Sequence, residues 1–111
     1  MKKLNSIDEV IASMPERFCA DASLGVNATY QWHVQKGNGD QDRDFCICVE
    51  DGSFKVVEGR VNSPSVTLKA DLETYLRLVN GELKAMTAIM TRRLSIYGNI
   101  FLGSKMDRIF K

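Results

Sequence analysis

The chain is poor in the residues that mark several protein classes. It has only 2 Pro and 8 Gly among 111 residues, too few for a collagenous or low-complexity protein. Its 3 Cys cannot all pair with one another and are too few for a disulfide scaffold. No apolar run approaches the ~18 residues of a membrane span, and the N-terminus lacks the apolar stretch of a signal peptide. We therefore expect a reduced, cytoplasmic, globular protein.

The charge is balanced overall but unevenly distributed. The 15 Lys and Arg against 14 Asp and Glu leave a net charge of +1, which gives no reason to expect nucleic acid as a partner. Residues 1–55 carry 6 basic and 9 acidic side chains, whereas residues 56–111 carry 9 and 5. The basic end is either a solvated face or a contact for an anionic head group or membrane surface. A length of 111 residues predicts one domain over residues 1–111.

The hydrophobic periodicity predicts both helices and strands. A helix is expected from Ile7, after the cap Ser6, and should end at Pro15. Apolar residues then alternate with polar ones, which predicts five strands. They lie at residues 26–34, 45–49, 54–57, 66–70 and 94–98.

A two-residue turn fixes one strand pairing. Asp51-Gly52 separates two alternating runs, and this dipeptide is the strongest short signal for a hairpin. With these two residues as the loop, Val49 lies opposite Phe54 and Ile47 lies opposite Val56. The apolar faces of the two strands then match.

Helical patterns occupy most of the second half. Asp71 is the expected cap of a helix that ends before Gly81, a second helix begins at Leu83, and a third covers residues 102–110. Each strand has one apolar face, and only the amphipathic helices can cover it. We predict an α+β two-layer sandwich: a five-stranded, mostly antiparallel sheet covered on one face by helices.

No catalytic motif is present, but one cluster on the outer sheet face deserves testing. If Val34 pairs with Phe45, then His33 lies opposite Cys46, with Cys48 on the same face. Two thiolates and an imidazole suit a soft metal ion. A fourth ligand is missing, so we predict no metal site, and the outer face is either plain surface or a dimer interface.

The loop before the second strand superficially resembles a calcium site. Asp40, Asp42 and Asp44 alternate there, as in the first half of an EF-hand loop. The Gly and the Glu that complete such a loop are absent, and a strand follows where a helix is required. A solvated hairpin tip is the better interpretation.

Two motifs resemble the sterol carrier protein type 2 domain family. Tyr75–Leu83 (YLRLVNGEL) is similar to the family's aromatic-x-x-Leu-x-x-Gly-Lys-Leu pattern, and Arg93–Asn99 (RLSIYGN) to its Lys-Leu-x-Ile-x-Gly-Asp/Asn pattern. The resemblance spans residues 25–110. One departure is Arg92, which stands where the family usually has Gly.

The resemblance implies an apolar tunnel between sheet and helices that takes a lipid of the fatty acyl, acyl-CoA, sterol or isoprenoid type. It implies non-enzymatic binding and transfer or presentation of that lipid, without a cofactor. The alternative is an accessory or scaffold protein for a lipid-modifying or isoprenoid-quinone biosynthetic complex. A homodimer, a partner enzyme and transient membrane contact are the further partners to consider. Periodicity alone does not distinguish such a tunnel from a filled core.

The apolar positions that face the tunnel in this arrangement are the candidate lipid-binding residues. They are Trp32, Val34, Phe45, Ile47, Phe54, Val56, Tyr75, Leu76, Val79, Met86, Ile89, Met90, Ile96, Phe101, Leu102, Met106 and Phe110. The candidates for holding a carboxylate or phosphate head group are Arg92, Arg93, Lys105 and Arg108.

Overall fold

The computed structural model describes residues 3–37 and 41–110. The order of helices and strands in this part of the chain is close to the one that the periodicity predicts. In chain order they are α1 (Ile7–Arg17), α2 (Ala20–Ser23), β1 (Asn27–Gln35), β2 (Arg43–Glu50), β3 (Ser53–Glu58), β4 (Val66–Asp71), α3 (Leu72–Val79), α4 (Ala85–Met90), β5 (Leu94–Gly98), α5 (Ile100–Ser104) and α6 (Met106–Ile109).

The strands form one five-stranded sheet in the order β3-β2-β1-β4-β5. β1 and β4 are parallel, and the other neighbouring pairs are antiparallel. The parallel pair arises because residues 59–65 carry the chain from the edge strand β3 across the sheet to β4. Helices pack on the sheet, which confirms the predicted α+β architecture.

The β2–β3 hairpin has the predicted register. Val49 pairs with Phe54 and Ile47 with Val56. Both residues of the Asp51-Gly52 loop have positive φ, 34° and 90°, which is the requirement of the tight turn that matches the twist of a hairpin.

The predicted β1–β2 register is wrong by two residues. Trp32 rather than Val34 pairs with Phe45, and His33 pairs with Asp44. A shift of two residues leaves every side chain on the same face of the sheet. The apolar pattern is therefore equally satisfied by both registers and does not distinguish them.

The prediction that Pro15 ends the first helix is also wrong. α1 continues to Arg17, and the Phe18 N–H donates to the Met14 carbonyl at 2.8 Å. Pro15 lies in the last turn, where its missing N–H removes one hydrogen bond, to the Ile11 carbonyl. The buried Met14 anchors the same turn in the core, so the helix tolerates this loss.

Among the later helices, α3 has its predicted cap and stop, whereas α4 begins at Ala85 and not at the predicted Leu83. The Asp71 carboxylate caps α3 by accepting from the Thr74 N–H at 2.7 Å, and Gly81 follows the helix with a φ of 74°. The single helix expected over residues 102–110 is instead the pair α5 and α6. It begins earlier, where the Asn99 side chain accepts from the Leu102 N–H.

Candidate functional site

A cavity of about 310 Å³ lies between the sheet and the helices. Arg17 is the one charged side chain in its described lining, and nearly all the others are apolar. The lining comprises Val10, Met14, Arg17, Trp32, Ile47, Leu68, Tyr75, Leu78, Val79, Ala85, Met86, Ile89, Leu94, Ile96, Ile100, Gly103, Met106 and Phe110.

Four of the five strands contribute to the sheet wall of the cavity. Trp32 comes from β1, Ile47 from β2, Leu68 from β4, and Leu94 and Ile96 from β5. Within each strand these positions belong to the alternating apolar set. Since alternate residues point to the same face, the period-2 pattern of the sequence directly produces this wall.

The opposite wall is built from short helix segments. Met14 of α1, Val79 of α3, Ile89 of α4, Ile100 of α5 and Met106 of α6 each contribute a side chain. Because so many separate helices share the cover, no one helix seals the layer against the sheet.

The cavity opens to solvent between α4 and α5. Met86 and Ile100 line it, yet their side chains are 67% and 64% exposed. Side chains that face both the cavity and the solvent define its mouth. The buried Trp32 and Tyr75 lie in its interior.

Two polar groups lie among the interior aromatic residues. The rings of Trp32 and Tyr75 meet edge to face, with centroids 4.9 Å apart. Trp32 is only 6% exposed, and within the described residues its indole N–H has no hydrogen-bond partner, which typically costs ~1–3 kcal/mol. Burial raises the pKa of Tyr75, against an opposing effect of nearby Arg17, so its hydroxyl stays neutral.

Arg17 brings a positive charge to the lining. Its Nη2 donates to the Val79 carbonyl at 2.9 Å, which ties the end of α1 to the end of α3. The sequence pattern did not identify Arg17 because it follows Pro15, where the helix was expected to have ended.

About half of the candidate lipid-binding residues line the cavity. Those that do are Trp32, Ile47, Tyr75, Val79, Met86, Ile89, Ile96, Met106 and Phe110, and those that do not are Val34, Phe45, Phe54, Val56, Leu76, Met90, Phe101 and Leu102.

The residues outside the lining have other surroundings. Val34 and Phe45 are fully buried in the core, where Phe45 meets Tyr75 edge to face. Met90 and Phe101 face solvent. Phe54 packs against other aromatic rings at centroid distances of 4.6 and 5.2 Å.

Nine lining residues were not among the candidates: Val10, Met14, Arg17, Leu68, Leu78, Ala85, Leu94, Ile100 and Gly103. The apolar stripe of α1 was the available signal for Val10 and Met14. Periodicity alone does not distinguish a helix residue that packs on the sheet from one that lines a cavity.

None of the four head-group candidates lines the cavity. Arg92 and Arg93 are exposed between α4 and β5, and Arg108 is exposed on α6. The Lys105 Nζ lies 4.7 Å from the centroid of the Phe101 ring. All four lie outside the apolar space itself.

On the outer sheet face, the geometry contradicts the juxtaposition of imidazole and thiols. His33 Nδ1 lies 2.5 Å from an Asp44 oxygen, and its Nε2 lies 3.3 Å from Asp42. The Sγ atoms of Cys46 and Cys48 are 3.9 Å apart. Burial and, to a smaller extent, the neighbouring Cys48 raise the pKa of Cys46 to about 12.

No group of metal-binding side chains occurs within residues 3–37 and 41–110. Asp40, the first carboxylate of the calcium-like pattern, lies outside the described residues.

No helix in the described part of the chain is long and apolar enough to cross a membrane. The three thiols, of Cys19, Cys46 and Cys48, are unpaired.

Known proteins resemble this chain in sequence and in fold. The peroxisomal multifunctional enzyme type 2 of Mus musculus is 34% identical over 87 residues, which are 78% of this chain and 12% of that enzyme. The sec-alkylsulfatase Pisa1 from Pseudomonas sp. superposes with a TM-score of 0.81 at 18% identity, over 96% of this chain and 16% of that one. The chain therefore spans a small part of both enzymes.

A relative of similar size is palmitated SCP2L2 from Aedes aegypti. It superposes with a TM-score of 0.70 at 19% identity, over 93% of this chain and 88% of that one. At these identities the superpositions show a shared fold. The family described as the SCP-2 sterol transfer family matches residues 7–111. Since this match covers nearly the whole chain, the protein belongs to the SCP-2 sterol transfer family.

Proposed function

We propose that this protein binds a lipid with a long apolar chain in the cavity and transfers or presents it without catalysing a reaction. The supporting observation is the apolar space of about 310 Å³ between the sheet and the helices. Its volume lies at the lower end of the ~300–1,000 Å³ range of small-molecule sites. Membership of a sterol transfer family supports lipid binding in general.

Among lipids, a single fatty acyl chain suits this cavity best. A space of only about 310 Å³ favours a slender, flexible chain over a bulky ring system, and the structure of the Aedes aegypti relative is described as palmitated. Each buried methylene contributes about 0.8 kcal/mol, so a chain of about 14 methylenes gains on the order of 11 kcal/mol before ordering costs. Arg17 in the lining adds a positive charge that is favourable for a carboxylate.

Native mass spectrometry tests this proposal. The full chain, freed of co-purified lipid and mixed with palmitate, is expected to carry one fatty acid per protein. The same protein mixed with a short-chain acid such as butyrate is the control, because too few methylenes are then buried. A folded protein that takes up no palmitate would overturn the proposal.

Presentation of the lipid to an enzyme is a second candidate. The observation that favours it is that the matched region is a small part of two enzymes, in Mus musculus and in Pseudomonas sp.. In this case a lipid-modifying enzyme should act faster on cavity-bound palmitate than on the same palmitate in micelles. Equal or slower turnover of the bound lipid would leave transfer as the function.

A further inference from the structure

Methionine side chains form part of the cavity wall on several sides. Met14, Met86 and Met106 line the cavity, and they belong to three separate helices, α1, α4 and α6. Met90, on α4 as well, lies outside the lining and is 77% exposed. Because the three lining residues come from different helices, an acyl chain in the cavity is bordered by thioether sulfur as well as by hydrocarbon.

The thioether is the group in this wall that a two-electron oxidant attacks. Methionine sulfur is soft and polarizable, and it is oxidised to the sulfoxide. The described lining contains no cysteine. Cys46 and Cys48 flank the lining residue Ile47 on β2, and neighbouring residues of a strand point to opposite faces. Methionine is therefore the one source of sulfur chemistry in the described lining.

We propose that the cavity takes fatty acids that carry a hydroperoxide group, and that its methionines reduce this group to an alcohol. The proposal rests on the proposed function, because it requires an acyl chain in the cavity. The sulfur lone pair attacks the terminal oxygen of the hydroperoxide, so that an S–O bond forms and the O–O bond breaks. The proton of that terminal oxygen passes to the leaving alkoxide, which becomes the alcohol.

This step needs no further reactant. The sulfur loses two electrons and becomes the sulfoxide, and the peroxide gains the same two. One hydroxy fatty acid forms for each methionine sulfoxide. Each methionine therefore reacts once, and the reaction is stoichiometric and not catalytic.

Binding in the cavity decides which methionine reacts. A bound chain holds its peroxide beside the lining sulfurs, which greatly raises their effective concentration toward each other. A small, water-soluble peroxide gains nothing from the cavity, so its reaction follows exposure. Met90 is 77% exposed, whereas Met106 is partly buried and Met14 is only 5% exposed. The two kinds of peroxide should therefore oxidise Met90 and Met106 in opposite order.

The experiment compares these two oxidants on the full chain, freed of co-purified lipid. One sample receives the hydroperoxide of linoleic acid and the other hydrogen peroxide, both with a metal chelator that prevents radical cleavage. Peptide mass spectrometry then locates the sulfoxides at partial oxidation. We expect more sulfoxide at Met106 than at Met90 with the fatty acid hydroperoxide, and the reverse with hydrogen peroxide. The hydroxy acid formed should equal the sulfoxide formed, and excess palmitate should suppress both.

Leucine variants separate reduction from binding. Leucine is similar to methionine in volume and apolarity, so the exchange is well tolerated in packed positions. The triple variant Met14→Leu, Met86→Leu, Met106→Leu should bind the hydroperoxide without forming hydroxy acid. Met90→Leu is the matched control and should react like the wild type. Thermal unfolding checks each variant, and the mapping on the wild type needs no variant at all.

Two results would overturn this proposal and leave the proposed function intact. One is a hydroperoxide that binds, as seen by native mass spectrometry, but yields no hydroxy acid. The other is the same order of oxidation with both peroxides, because the reaction would then take place outside the cavity. If the protein takes up neither palmitate nor the hydroperoxide, the proposed function fails as well.

Discussion

Filling the cavity from its α5 wall should weaken lipid binding roughly 100-fold without unfolding the protein. Gly103 lines the cavity, and a Cβ at this position would lie 3.7 Å from methyl groups of Ile96 and Val66, an ordinary contact distance. Gly103→Ala therefore fits without movement. Because alanine favours helix over glycine, this control variant should be about 0.5–1 kcal/mol more stable.

Gly103→Leu extends the same side chain by three carbons. These carbons have no room between α5 and the sheet and must occupy the cavity. If the four carbons of leucine displace about four methylenes of the ligand, at about 0.8 kcal/mol each, binding weakens by about 3 kcal/mol. This corresponds to a dissociation constant roughly 100-fold higher.

Tryptophan fluorescence measures this effect without a label. Trp32 is the only Trp of the chain and lines the cavity. Titration with palmitate should change its emission in the wild type and in Gly103→Ala, but not in Gly103→Leu over the same range. Thermal unfolding of each variant provides the check on folding.

One outcome would refute this reasoning directly. If Gly103→Leu keeps the Tm of the wild type and binds palmitate with the same dissociation constant, then the ligand does not occupy this space. A lowered Tm would instead show that leucine displaces α5. In that case Ala85→Leu, on the α4 side of the same lining, repeats the test.

Four further predictions concern the fold and the chemistry of Cys46. Gly98→Ala should lower the free energy of unfolding by ~1–3 kcal/mol, because Gly98 has a φ of 99° and a Cβ would lie 2.8 Å from a backbone oxygen. Gly59→Ala is the control, since Gly59 has a similar φ of 89° but nothing within 4 Å of the added Cβ, and it should lower the free energy of unfolding less. Thermal denaturation of both variants compares the two effects. Iodoacetamide near pH 8 should leave Cys46 unmodified in mass spectra of the folded protein, because burial and then Cys48 raise its pKa to about 12. Because unfolding returns this thiol to its ordinary pKa of 9.0, the free energy of unfolding should fall as the pH rises above 9, and less so in Cys46→Ala; equal pH profiles would contradict this. Asp71→Ala should cost about 1 kcal/mol in chemical denaturation and Asp71→Asn much less, since only the former removes the cap of α3.

The parts of the fold that follow from local chemistry were predictable. The Asp51-Gly52 turn fixes the β2–β3 register because a slip by one residue would expose the apolar face. The predicted β1–β2 register was wrong because a slip by two residues leaves every side chain on the same face of the sheet. The predicted partner of His33 was wrong for the same reason, since it followed from that register. An alternation of apolar and polar residues repeats every two residues, so it cannot distinguish two registers that differ by two residues.

The cavity itself was harder to predict. The sequence identified which positions are apolar, and nine of the seventeen candidates line the cavity. Periodicity could not separate the core residue Phe45 from the lining residue Ile47, because both lie on the same face of β2. The difference depends on which helix lies above each residue. That is a property of the tertiary packing of α1 and α4–α6 and not of the strand.

The most direct test of the lipid-binding account is an NMR measurement of contacts between bound palmitate and methyl groups of the protein. The account predicts intermolecular nuclear Overhauser effects from the acyl chain to Ile47, Ile96 and Met106, on both walls of the cavity. Contacts confined to the outer sheet face, for example to Val57 or Val61, would contradict it.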